Sequence, residues 1–147
     1  MIMVLPILSE GNIMLNHQLT TKEEAIQLAG QMLVDRGYVN PEYKQKMLER
    51  EEITSTYMGN FVAIPHGTDE AKKDVKESGI VIIQIPDGVD FGDGNIVKLV
   101  FGIAGKGDGH LEILSNIAIA VSEIENVEKI VHATSQVEVL SFFEGVN

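Results

Sequence analysis

Apolar positions along this chain change period several times, and each change marks an element. Ala25, Ile26, Leu28, Ala29, Met32 and Leu33 recur at helical spacing behind Thr20 and Thr21, either of which can cap, with Glu23 and Glu24 supplying the capping-box acid. Gly37 should stop that helix. Asn40-Pro41 repeats the start signal, and Glu42 to about Glu52 sets Tyr43, Met47 and Leu48 on one side against charges on the other, with Arg50 in the last turn. Phe61 to Ile64 is a short apolar run that predicts a strand. Pro65 ends it, because proline brings no N–H to a ladder and holds the residue before it extended.

Beyond that point the pattern predicts a polar stretch of one or two helical turns, Asp69 to Val75. Gly79 to Ile85, with Val81, Ile82 and Ile83 in succession, is too continuously β-branched for a strand with one wet face, so it reads as a central strand covered on both sides. Pro86-Asp87-Gly88 and Phe91-Gly92-Asp93-Gly94 predict an exposed connection to a second buried strand, Ile96 to Ala104, antiparallel to the first. Leu111, Leu114, Ile117, Ala118 and Val121 then mark a helix, Asn126 to Ala133 a further short one, and Gln136 to Phe143 a last one, with Val137, Leu140 and Phe143 at helical spacing. Near the start, Ile7-Leu8 is an entry segment and Asn12 to Leu15 an edge strand broken at Gly11. This order predicts an α/β fold: one domain over residues 1–147, with a small mixed parallel and antiparallel sheet covered by helices on both faces.

Composition narrows the chemistry. The chain has 147 residues, enough for one core that buries about 68–70% of the unfolded surface. With 22 acidic against 11 basic residues the formal net charge is -11, which repels a phosphate backbone, so no nucleic-acid partner is expected and a basic protein suits better. Cysteine is absent, removing disulfides, thiolate zinc sites and cysteine nucleophiles together. No apolar run approaches the roughly 20 residues of a membrane span, and Met1 to Leu8 lacks a basic n-region, so the chain reads as cytoplasmic and not itself membrane-spanning.

Three residues invite a chemical reading, each beside a plainer one. His66 follows a strand end, with Gly67 leaving the imidazole open to approach and Thr68-Asp69 able to start a helix whose N–H groups favour an anion. It reads either as a nucleophile that accepts a phosphoryl group or as a strand-end histidine meeting backbone groups. His110 follows Gly105-Lys106-Gly107-Asp108-Gly109, which either gathers backbone donors around an anion or merely turns the chain. Arg50 offers a forked, permanently charged guanidinium for phosphoryl oxygens, or else meets the helix dipole and Glu49, Glu51 or Glu52. His17 and His132 suggest no role.

Nucleotide and metal motifs fail on inspection. A Walker A loop needs Ser or Thr where Gly107 stands, and a dinucleotide fingerprint needs glycine where His110 stands. No His-Glu-x-x-His occurs, and a zinc-deaminase signature beginning at His110-Leu111-Glu112 lacks its cysteines. No cofactor and no bound metal are expected, and metal-dependent hydrolysis ranks below phosphoryl transfer.

Taken in order, Thr21-Lys22-Glu23-Glu24-Ala25-Ile26, Gly37-Tyr38-Val39, Tyr43 through Arg50-Glu51, Ala63-Ile64-Pro65-His66-Gly67-Thr68, Gly88-Val89-Asp90-Phe91-Gly92 and the glycine-rich approach to His110 resemble the enzyme IIA component of the bacterial phosphoenolpyruvate-dependent sugar phosphotransferase system, mannitol/fructose type, and within it the free-standing mannitol branch. The resemblance implies a phosphohistidine relay: the phosphocarrier protein HPr donates to His66, which passes the phosphoryl group to a cysteine of enzyme IIB for uptake and phosphorylation of mannitol. It implies that His110 and Arg50 help hold that group, and that the IIB acceptor and the sugar-carrying IIC lie outside this sequence. Asn60 stands where some members have glutamate, so no carboxylate role passes to it. Met47 and Met58, flanking the site, are either part of an apolar docking patch or core. A regulatory module of the same fold, phosphorylated on the same histidine, is the alternative within this resemblance.

Overall fold

The computed structural model describes residues 7–106 and 109–143, except for the side chains of His110, Leu111 and Ile113. Five strands form one sheet: β1 (Ile13–Met14), β2 (Tyr57–Gly59), β3 (Val62–Ala63), β4 (Gly79–Asp90) and β5 (Ile96–Ala104), in the order β1-β4-β5-β3-β2. β4 and β5 are an antiparallel pair at the centre, β1 and β3 join them parallel, and β2 is the far edge, antiparallel to β3. The sheet is therefore mixed, as the element order predicts.

Helices α1 (Lys22–Asp35) and α2 (Tyr43–Ile53) cover one face, and α3 (Gly109–Val121), α4 (Ile124–Val131) and α5 (Gln136–Leu140) the other. Thr21 caps α1 in a full capping box with Glu24, and Gly37, at φ 85°, turns the chain out of it. Alternate side chains of β4 feed two cores: Val81, Ile83 and Ile85 pack under α1 and α2, while Ile80 and Ile82 pack under the other three helices. α1 can lie close on the sheet because β5 offers Gly102, where a Cβ would come within 2.8 Å of Ala29 and Val81 side-chain atoms. Among the described residues, no helix is long and apolar enough to cross a membrane.

Three expectations need correction. Pro86-Asp87-Gly88 does not leave the sheet: β4 runs through it to Asp90 with an irregular register between Gln84 and Val89, and the chain turns only at Gly92 to Asn95. A register shift absorbs a proline that a regular ladder would reject. The strand before His66 is only Val62–Ala63, and it is half of a hairpin with β2 that no strand signal announced. Val137, placed by its spacing in the buried stripe of the last helix, is 61% exposed, because α5 is a single short turn whose buried contact is Val139.

Candidate functional site

The β2–β3 hairpin turns on Asn60 and Phe61, both at positive φ (51° and 67°), as a two-residue type I′ turn demands. Such a turn normally advertises itself by glycine; here a bulky phenylalanine holds the second position, a strained conformation. Contacts compensate on both sides. The Phe61 carbonyl accepts from the N–H groups of Lys98 and Leu99, and the Lys98 ammonium sits 4.8 Å from the Phe61 ring centroid. The Asn60 amide donates to the carbonyls of Val121 and Ser122, at 3.1 and 3.3 Å. Asn60 is thus a strut between the hairpin and the end of α3, not an acid.

From β3 the chain passes Ile64 and Pro65 to His66. Proline breaks the ladder as expected, yet its carbonyl accepts from Ile103 N–H at 2.9 Å, and His66 itself forms a parallel bridge to Ile103. His66 is therefore fixed against the end of β5, half-buried. Its Nδ1 lies 2.8 Å from the carbonyl oxygen of Ile64. A carbonyl can only accept, so Nδ1 carries the proton of the neutral ring and Nε2 carries the lone pair.

The residue after His66 is held from α2. Tyr43, 4% exposed, accepts the Gly67 N–H at 2.9 Å and donates its hydroxyl to the Ile103 carbonyl at 2.8 Å. Burial pushes its phenol up to about 12, against the opposing pull of the Gly67 N–H. Gly67 is needed for this packing: a Cβ there would lie 2.6 Å from the Tyr43 ring and 2.9 Å from Ala71 Cβ. This packing is a requirement for glycine that the sequence alone does not announce. Thr68 does precede a helix, but a 3-10 one, Asp69–Asp74, and its side chain caps nothing.

Around His66 lies a cavity of about 140 Å³, lined among others by Tyr43, Thr68, Asp69, Lys72, Gly105 and Leu114. Its size is close to that of a cavity that admits a benzene ring, so a phosphoryl group fits. Lys72, on the 3-10 helix, is a cation at this rim that sequence reasoning missed; its only signal was a lysine within a turn or two of the Pro-His-Gly stretch.

The other two candidates sit as follows. Arg50 occupies the last turn of α2, about two turns beyond Tyr43, where its Nη1 donates to the Thr54 carbonyl at 2.7 Å. It is not among the residues lining the cavity. His110 lies in the first turn of α3; its side chain, with residues 107–108 of the glycine-rich approach, is outside the described residues. Met47 is completely buried beneath α2 and belongs to the core, whereas Met58 on β2 is 40% exposed. Met47 therefore takes the core alternative, and of the two only Met58 is accessible at the surface. Among the described residues, no three His, Asp or Glu side chains are grouped as metal ligands.

Comparison with known proteins bears on this geometry. The family model described as phosphoenolpyruvate-dependent sugar phosphotransferase system, EIIA 2, matches residues 6–146. A mannitol-specific phosphotransferase enzyme IIA component of Geobacillus stearothermophilus is 63% identical over 145 residues, 99% of this chain and 100% of that protein. The crystal structure of IIA mannitol from Escherichia coli superposes with a TM-score of 0.87 at 44% identity, covering 92% of this chain and 98% of that one. The IIA in a complex with phosphorylated enzyme IIB, also from Escherichia coli, superposes with a TM-score of 0.90 at 44% identity over 94% of this chain and 97% of that one.

Proposed function

The chain belongs to the EIIA 2 family of the phosphoenolpyruvate-dependent sugar phosphotransferase system, and from that premise we propose that it is the phosphoryl carrier of a mannitol system, with His66 as its phosphorylated residue. The donor is phospho-HPr, the acceptor a cysteine of enzyme IIB, and the place of work the cytoplasm. The IIA–IIB complex of the Escherichia coli relative supports the second partner.

One observation carries the choice of atom: the Ile64 carbonyl, 2.8 Å from Nδ1, gives His66 a single tautomer with Nε2 nucleophilic. In the first step the Nε2 lone pair attacks phosphorus, an Nε2–P bond forms, the donor's N–P bond breaks, and its electron pair stays with the donor ring. The proton on Nδ1 remains hydrogen-bonded to Ile64. The phosphorylated ring is consequently cationic and a good leaving group, so in the second step the IIB thiolate takes the phosphoryl group and the electron pair returns to Nε2. Transition-state charge spreads over the equatorial oxygens. Lys72 at the rim, Arg50 and His110 are the side chains assigned to meet it, Arg50 and His110 on the family pattern. This scheme requires no metal ion.

Incubation with HPr, its kinase and phosphoenolpyruvate should label the chain with acid-labile phosphate, and addition of a mannitol IIB should discharge it. A chain that takes label but discharges to no IIB would instead be a regulatory module.

A further inference from the structure

Glu51 is a carboxylate in an expensive place. It is 5% exposed, its Oε2 accepts no hydrogen bond, and its counter-charge, the Lys22 ammonium, stands 3.7 Å away. Taking this carboxylate out of water is costly, so the return has to be sought in what it holds. Its Oε1 accepts both polar hydrogens of Thr56, the N–H at 2.9 Å and the hydroxyl at 2.6 Å. The Thr56 carbonyl accepts the Ile64 N–H at 3.1 Å, and the Ile64 carbonyl is the partner of His66 Nδ1 at 2.8 Å. Arg50, next to Glu51, grips the same turn through the Thr54 carbonyl.

We propose that Glu51 is a positioning residue for His66: by anchoring Thr56 it fixes the Ile64 carbonyl, which in turn fixes the proton on Nδ1 and the lone pair on Nε2. The links at Thr56 and Ile64 each cross an α-carbon, so position rather than charge travels along the chain. Lys22, whose ammonium also donates to the Phe91 carbonyl at 3.5 Å, ties the carboxylate to α1 and to the β4–β5 turn. This role rests on reading His66 as the phosphoryl acceptor, whereas the tautomer is a property of the resting ring and is measured without phosphate.

The test is ring-nitrogen NMR of the full chain labelled at histidine, with transfer kinetics from phospho-HPr. The wild type should show the Nδ1–H tautomer at His66. Glu51→Ala should show a mixture and a kcat about 10- to 100-fold lower, as for a misplaced reacting group, with KM within about threefold. Glu51→Gln, whose amide oxygen still accepts from Thr56, should keep the wild-type tautomer. A folded Glu51→Ala chain with wild-type His66 signals overturns the role. Should Glu51→Ala not fold, Thr56→Val removes one of the two links at nearly constant shape: a shift toward the mixture supports the role and unchanged ring signals overturn it. A His66→Ala chain that still takes label would remove the phosphorylation reading alone, leaving a tautomer shift in Glu51→Ala to stand as positioning.

Discussion

Tyr43 shows how much of the site depends on single buried atoms. Its phenol, ordinarily titrating near 10.0, is pushed to about 12 in the fold. The folded state therefore holds this proton more tightly than the unfolded chain. The associated stability is complete below pH 10 and is lost as pH rises from 10 to 12, a decline of about 2–3 kcal/mol. Denaturation across that range should show the decline in the wild type and a flatter profile in Tyr43→Phe; parallel profiles would contradict it. Gly67→Ala should cost about 1–3 kcal/mol by the same packing, read as a lower denaturation midpoint, because the new methyl meets the Tyr43 ring at 2.6 Å. The place of His66 at a strand exit was legible in the sequence because Pro-His-Gly after an apolar run is a local signal. The partners of Gly67 were not, since they depend on α2 lying across the sheet end, a contact no local pattern encodes.

Among elements, the long helices and β5 were the more legible, whereas β4 was misread where Pro86 falls. α1, α2 and β5 announced themselves through the spacing of their apolar positions, because their burial repeats along many residues, and α1 also through its cap and stop residues. The β2–β3 hairpin did not: its strands are two or three residues long and its turn uses Asn60-Phe61 where glycine would be the cue. Two side chains join elements in ways that mutation can test. Gln84, 2% exposed in β4, donates to the carbonyls of Ile130 and Ala133 at the end of α4 and accepts the Asn16 N–H beyond β1. Gln84→Leu leaves all three groups without this partner and should cost about 2–4 kcal/mol in denaturant titration. Asn60→Ala removes the two bonds to the end of α3, a loss of about 1 kcal/mol that should appear as faster amide exchange in that helix.

For the whole molecule, the fold class was readable because a run of strand patterns stands between two runs of helical ones, an order with few packed solutions. The site was readable only in part, because it gathers residues from α2, the β3 exit and the end of β5, and their meeting is a tertiary fact. Net charge belongs to this scale too. At -11 the chain should associate faster with a basic partner surface at low ionic strength, and transfer from phospho-HPr should slow as salt rises toward a Debye length of about 8 Å. The most direct measurement is the location of the phosphoryl group on the chain after incubation with phospho-HPr, by phosphorus–nitrogen NMR on histidine-labelled protein. Acid-labile phosphate on Nε2 of His66, with none taken up by His66→Ala, is the expected result. Label on another residue, on Nδ1, or persisting in His66→Ala would contradict it.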